Sequence, residues 1–412
     1  MVIKPKAVSS APQSMLSRQV QSLVREQGSS LDFFNLLTGP KLLQVLEEHL
    51  PEHRERMYPP TATLAMFLGQ VLSTDKSCQN AVNEAQVNRL LRGLPLQGRA
   101  KTNAYCMARG RLPLELVCQL ARCTAGHLSE HVPIEWLWRG RHVKLVDGTT
   151  VLLEDEPENQ AEFPQHGNQK AGAGFPQARL VAAISLAHGA VLDIAMGPCK
   201  GKGTGEHALL RQMLESFKSG DVMLADSYYC SFFLIADLQA RGVDFLFEQH
   251  GARDTDFRSG ERLGVRDHVV SWSKPKQRPD WMSVEQYEGY PKEITLREVQ
   301  VRGKVLVTSF VNPREVGKNE LGKLFVDRWN VELDLRNIKS TLGMDKLRCK
   351  SPQMCRKEAW IYMLAYNLIR LLIAQAAVHA GVLPRKLSFK HTLQVWVAWS
   401  HGNFSPMQRR TC

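Results

Sequence analysis

The chain has 412 residues, 43% of them apolar and 23% charged, which is enough for two or three domains and a sizeable core and excludes a disordered polyelectrolyte. No apolar run is long enough to span a bilayer, and the lead MVIKPKAVSSAPQS lacks the apolar centre of a signal peptide, so a cytoplasmic chain without a membrane partner is expected. A formal charge of +12 and a pI of about 9.3 point to a polyanionic partner, nucleic acid first, although a merely basic enzyme would carry the same charge.

Residues 1–15 read as a disordered lead. From there to about residue 135 the patterns are helical, with apolar residues at i, i+3, i+4 in SRQVQSLVREQG and KLLQVLEEHLPEHRERM. After Pro59-Pro60 come TATLAMFLGQVLS, CQNAVNEAQVNRLLRGL, a basic link at Gln97–Thr102, and AYCMARGRLPLELVCQLARC. Such a domain, with Arg89, Arg92, Arg99, Lys101, Arg109 and Arg111, suits DNA binding by helix insertion and phosphate contact. An ordinary helical domain with a solvated basic face has the same pattern. Nine cysteines without a C-x2-C pair read as free thiols in a reducing compartment. Cys118, Cys123, His127 and His131 are too compactly spaced for a zinc finger and share a helical pattern.

At Arg141 the texture changes. HVKLVDGTTVLL reads as a strand ending in Asp147-Gly148-Thr149, followed by a glycine-rich loop, Pro164–Pro176. ARLVAAISLA and AVLDIAMGP read as strands joined at His188-Gly189, GEHALLRQMLESF as a helix, and DVMLAD as a strand ending in Asp226. CSFFLIADLQARG reads as a helix and VDFLFEQ as a strand, giving a mixed α/β sheet with helices packed on it. Residues 250–315 read as a β-rich insertion containing HVVSWS, EITLREVQV and KVLVTSFV. A helix over Leu321–Ser340, a basic run Lys346–Lys357 suited to phosphate contact, and the long apolar helix EAWIYMLAYNLIRLLIAQAAVHA follow. Arg370 inside that last helix argues for core packing and against a membrane span. The expected division is a lead over 1–15, a helical DNA-binding domain over 16–138, a core in two parts over 139–249 and 316–380 with the insertion at 250–315 between them, and a tail over 381–412.

The stretch Phe325–Lys339 organises the rest. It holds Arg328, Glu332 and Lys339 in the spacing R-x3-E-x6-K. At about 100° per residue, Arg328, Glu332, Arg336 and Lys339 fall within an arc of roughly 80°, with Phe325 on the same stripe. Alone, this is equally a helix face laced with i,i+4 ion pairs. With Asp147 and Asp226 at strand ends, it becomes a set of three carboxylates that could face one cleft. Three acids of this kind can hold two Mg²⁺ ions, with Mn²⁺ as a substitute, for phosphoryl transfer. Each aspartate has an ordinary alternative: a D-G turn after the strand for Asp147, a helix N-cap before Tyr228 for Asp226.

The order D-G-T, L-A-D, R-x3-E-x6-K resembles the DDE transposases of insertion-sequence family 4, the group with a Tyr-Arg-Glu-Lys signature, and DVMLADSYYCSF, LSTDKSC and AYCMARGRLP are similar to that family as well. The resemblance covers about residues 30 to 375. It implies a ribonuclease-H-like catalytic core, with Asp147, Asp226 and Glu332 as catalytic metal ligands, and Arg328 and Lys339 gripping phosphates. It also implies a tryptophan of the insertion that receives a flipped base during hairpin formation, for which Trp272 and Trp281 are the candidates. Arg336, Lys346 and Arg348 are further candidate DNA contacts. One departure stands out: the signature tyrosine is Phe325 here, which cannot donate a hydrogen bond to phosphate. The reading is a DNA transposase that binds terminal inverted repeats of double-stranded DNA and acts as a homodimer or larger. A structure-selective nuclease on the same core and a non-catalytic DNA-binding regulator are the alternatives.

Overall fold

The computed structural model describes residues 44–45, 48–50, 57–91, 93–96, 101–167, 170, 172, 174–201 and 203–401. The lead, the pattern SRQVQSLVREQG, Arg92, Arg99, parts of the glycine-rich loop and residues 402–412 lie outside them. The chain forms two compact units, Met1–Leu120 with Val395–Cys412, and Ala121–Gln394.

Among its described residues the first unit is helical: α1 (Pro60–Leu72), α2 (Cys78–Leu91) and α3 (Asn103–Arg111), with α4 (Leu114–Glu130) beginning in it. Pro60 starts α1 where its missing N–H costs nothing. Tyr58, Ala81, Val82, Tyr105 and Ala108 form a small core. Pro113 separates α3 from α4, which carries Cys118, Cys123 and His127 on one helix.

The second unit is built on one nine-stranded sheet. Its first strands are β1 (Val143–Leu152), β2 (Gln177–Ser185) and β3 (Val191–Pro198), with the short helix α5 (Pro157–Glu162) between β1 and β2. After α6 (Glu206–Arg211) come β4 (Val222–Ala225), α7 (Phe232–Ala240) and β5 (Asp244–Glu248). Then follow β6 (Glu261–Gly264), β7 (Asp267–Ser273), α8 (Val284–Gly289), β8 (Glu293–Val301) and β9 (Lys304–Thr308). The spatial order is β3-β2-β1-β4-β5-β9-β8-β7-β6. β1 pairs antiparallel with β2 and parallel with β4, β4 pairs parallel with β5, and β9 joins β5 antiparallel, so the strands of 261–308 extend the same sheet. The turn at His188-Gly189 forms as expected, with Gly189 at φ +72° beneath the guanidinium of Arg370. The expected helix GEHALLRQMLESF is shorter: it ends at Arg211, and Leu214–Ser216 forms a separate 3-10 turn.

Helix α9 (Lys318–Val326), a 3-10 turn (Asp327–Trp329), α10 (Asn330–Arg336) and a π turn (Asn337–Thr341) form one unbroken helical run. Helix α11 (Pro352–Ala380) has the length and hydropathy of a membrane span, but 78% of its most apolar window is buried in the unit, as Arg370 suggested. Arg370 lies in an ion cluster with Asp334 of α10, which also accepts from Tyr366 Oη (3.0 Å) and Arg385 (3.0 Å). That cluster locks α10 to α11 and to the β2–β3 turn, whose Ser185 carbonyl accepts from Arg385 at 2.9 Å.

Candidate active site

Strands β1 and β4 run parallel with Val143 opposite Val222 and Leu145 opposite Leu224. The pairing runs to Leu145 opposite Leu224; Asp147 lies two residues further along β1, Asp226 lies just past the end of β4, and the Asp226 charge acts on the Asp147 carboxyl. Asp147 is not at a strand end, as expected, but inside β1, which continues to Leu152 because β2 pairs with it over that length. A D-G turn is therefore not what forms there. Asp147 Oδ1 accepts from Gly148 N–H at 2.8 Å. Asp226 does cap the turn after β4, with Oδ1 accepting from Tyr228 N–H at 2.9 Å. Burial first, then the charges of Asp226 and Glu206, push the Asp147 carboxyl up to about 6 against the opposing pull of the Gly148 N–H and Arg328.

Glu332 on α10 pairs with Arg328 at 3.3 Å, the i,i+4 pair read from the sequence. The Arg328 side chain is 11% exposed, and its Nε is buried with no hydrogen-bond partner among the described residues. A buried donor without an acceptor is costly, and a phosphate oxygen would satisfy it. Lys339 Nζ donates to Thr149 Oγ1 at 3.2 Å. Thr149 is two residues beyond Asp147 and so on the same face of β1. The uniform-helix arc does not hold past Arg336: Lys339 lies in the π turn, whose i→i+5 pitch changes its angle, and Arg336 is exposed. Phe325 is buried, its ring 5.8 Å from Lys304 Nζ and 5.9 Å from the Arg328 guanidinium.

Glu206, the first residue of α6, belongs to this group, although in the sequence it reads only as part of the helix GEHALLRQMLESF. It accepts from Tyr229 Oη at 2.9 Å, lies 3.9 Å from Arg179, and covers Gly148. The neighbouring Gly148 was the available signal, since only a residue without a side chain leaves room for that carboxyl.

Of the other expected contacts, some are buried or already paired and some are exposed. Arg109 is a core group: 9% exposed, stacked over Phe67 (4.7 Å) and Tyr105 (5.3 Å), and bonded to Gln70. Its flat cation packs between rings, so it is no surface contact; Arg111 is exposed. Trp272 is buried, with its indole N–H on Glu298 (2.8 Å) and the Arg253 guanidinium 3.7 Å from its ring. Trp281 is 44% exposed, with Arg211 stacked at 3.6 Å. Lys346 pairs with Glu154 (3.0 Å), Lys350 with Glu156 (2.8 Å), and Arg356 with Glu162, so acids already answer much of that basic run; Arg348 is exposed.

Among the described residues, no three His, Cys, Asp or Glu side chains are grouped as a ready-made ion cage. Asp147 and Asp226 nevertheless fit a divalent cation. Both offer hard oxygen donors, and the cost of charging Asp147 beside two carboxylates is what a cation would remove. Glu332 stands one arginine away.

Residues 138–368, more than half of the chain, match the family model described as Transposase DDE domain. The chain is 28% identical over 347 residues to "Transposase InsG for insertion sequence element IS4" of Escherichia coli (strain K12), covering 82% of this chain and 75% of that protein. Solved structures similar to it include the cryo-EM structure of the piggyBac transposase synaptic complex with hairpin DNA (TM-score 0.47, 8% identity, 94% of this chain and 84% of that chain). The crystal structure of a pre-cleavage Mos1 transpososome is a weaker likeness (TM-score 0.16, 9% identity, 56% of this chain and 78% of that chain).

Proposed function

Because the chain belongs to the DDE transposases, in the insertion-sequence 4 group, we propose that Asp147, Asp226 and Glu332 are the acids with which it cleaves and joins DNA strands. The sheet around them is read as a ribonuclease-H-like core formed by 139–249 and 316–380, with 250–315 as its β-rich insertion. The helical region over 16–138 is read as the domain that binds terminal inverted repeats. The chain acts on double-stranded transposon ends and target DNA, as a homodimer or larger when two ends are brought together, and is DNA-associated in the cytoplasm.

The observation that supports this reading is the parallel pairing of β1 with β4, near whose ends lie Asp147 and Asp226, together with Arg328, which acts on the Asp147 carboxyl and pairs with Glu332. Asp147, Asp226 and Glu332 would hold Mg²⁺ or Mn²⁺, which supplies Lewis-acid activation of the attacking oxygen and stabilises the leaving oxygen at phosphorus. Arg328 offers its buried Nε to a non-bridging phosphate oxygen, and Lys339, held by Thr149, places a second cation near the same strand. These two orient the phosphodiester against the acids, which is how a phosphoryl-transfer site gains most of its rate. A hairpin intermediate, with Trp281 as the more accessible base receptor, completes the proposal.

The test is cleavage of a labelled duplex carrying the element's own end, with and without Mg²⁺, by wild type and Glu332→Gln. The expected result is metal-dependent nicking that disappears in the variant while end binding persists. Binding with no cleavage by wild type, under Mn²⁺ as well, would instead support a non-catalytic regulator.

A further inference from the structure

Three described residues other than glycine have a left-handed backbone, and all three are arginines: Arg139 (φ 54°), Arg266 (φ 51°) and Arg302 (φ 50°). Each sits at the tip of a tight turn, where Asn, Asp or Gly holds this conformation at lower cost. Arg139 has a structural reason, since its guanidinium holds both carboxylate oxygens of Glu320, at 3.1 and 3.2 Å. Arg302 has none. It precedes Gly303 in the β8–β9 hairpin, is exposed, and makes no side-chain hydrogen bond or ion pair among the described residues. Arg266, in the β6–β7 turn, spends one donor on the side chain of Gln300 and is otherwise exposed.

The two tips are neighbours. Gln300 N–H donates to the Arg266 carbonyl at 2.9 Å, and Gln300 lies two residues before Arg302 on β8. Helix α9 lies over the same end of the sheet: a Cβ on Gly322 would come within 2.5 Å of Val301. Lys323, next along α9, is exposed, and Lys318 Nζ reaches back to the Val265 carbonyl at 2.9 Å. Lys304, the first residue after the Arg302 turn, has its Nζ 5.8 Å from the ring of Phe325, whose other neighbour is Arg328. Two acids near this edge, Glu320 and Glu248, are engaged by Arg139 and Lys304, so Lys304 is itself paired while Arg302 is not. A row of cations therefore runs from Arg328, beside the carboxylates, to the two hairpin tips.

We infer that Arg266 and Arg302 form a phosphate-binding edge that takes the backbone of the duplex as it leaves the site. Resting on the reading of the chain as a DNA-acting transposase, it adds a surface outside the reacting centre. Left-handed arginines at both tips indicate a demand for the guanidinium that outweighs backbone preference, and a regularly spaced polyanion is the ligand that such a row fits.

In Arg266→Asn/Arg302→Asn, asparagine suits the tips better, so the full-length double variant should melt at or above the wild-type temperature. Its binding to a fluorescent duplex carrying the element's end should nevertheless be roughly tenfold or more weaker at about 0.1 M salt, with the log–log salt slope shallower by about 1.8, two phosphate contacts at about 0.9 each. Arg266→Lys/Arg302→Lys should keep most of that slope. An Asn double variant that binds as tightly as wild type, with an unchanged slope, overturns the proposal. So does one that melts well below wild type, since the arginines would then serve the fold. If wild type itself fails to bind DNA, the DNA reading of the chain falls, and the edge with it.

Discussion

A Cβ on Gly148 would lie 2.3 Å from Cδ of Glu206, so the carboxyl of Glu206 occupies the space a side chain at position 148 would need. Asp147 is next in the chain, and Glu206 is one of the groups that raise its proton affinity. The glycine after the first aspartate is thus tied to a specific acid on α6, with Tyr229 and Arg179 holding that acid from the other side.

Gly148→Ala should therefore displace Glu206 and cost about 1 kcal/mol, the low end of overpacking, because the group that must move is the end of a flexible side chain. DNA cleavage should fall at least tenfold, because the acid displaced lies against Asp147. A double-mutant cycle with Glu206→Ala checks the cause. Removing the carboxyl should make Gly148→Ala nearly neutral for stability, a coupling on the order of 1 kcal/mol in urea unfolding. Additive losses would mean that the two positions do not compete for the same space.

Asp147 gives a pH prediction with a definite sign. Its folded-state value, about 6, lies above the ordinary 3.8, so the metal-free folded chain binds more protons than the unfolded chain between those values. The stabilisation from protonated Asp147 is complete below the unfolded value and is lost as pH rises through about 6. Asp147→Asn removes the charge and keeps an acceptor for the Gly148 N–H. In chelator it should be more stable than wild type at about pH 8, by on the order of 2 kcal/mol after allowing for solvent screening, and the gap should narrow toward about pH 5. Equal stabilities at both pH values would show that the Asp147 site is not strained by charge.

Phe325→Tyr should keep or raise cleavage. The ring is buried between Lys304 and Arg328, and the added hydroxyl restores the donor that the family signature carries. The measurement is nicking of an end-bearing duplex at matched salt. A large loss would mean that the buried ring packs in a way that admits no hydroxyl.

Much of this site is legible in the sequence because its parts are local. Apolar runs mark β1, β2 and β4, the R-x3-E spacing marks the Arg328–Glu332 pair, and Arg370 marks α11 as a core helix. What is not legible depends on non-local pairing. The pairing of β1 with β4, which brings Asp226 near Asp147, is decided between segments 79 residues apart (226 − 147). The switch to a π turn at Asn337 has no periodicity signal short enough to read, yet it decides where Lys339 points. Arg109 and Lys346 look like surface cations until Phe67, Tyr105 and Glu154 are brought to them by the fold. Glu206 is hidden for the same reason, since the sequence does not indicate that α6 begins over Gly148.

Glu332 is held on α10 by an ion cluster two residues away. Asp334, two residues further along α10, is 1% exposed and answers two guanidiniums, Arg370 and Arg385, as well as Tyr366 Oη. Arg385 in turn bonds the carbonyls of Leu186 and Ser185 in the β2–β3 turn. Asp334→Ala leaves two cations in a buried site with no countercharge, so a loss of about 3–5 kcal/mol is expected in urea unfolding. Asp334→Asn keeps the shape but not the charge and should lose less. Cleavage should fall in both, because α10 loses the contact that fixes its rotation against the sheet. A loss below about 1 kcal/mol for the alanine variant would mean that apolar packing of α10 and α11 alone positions Glu332.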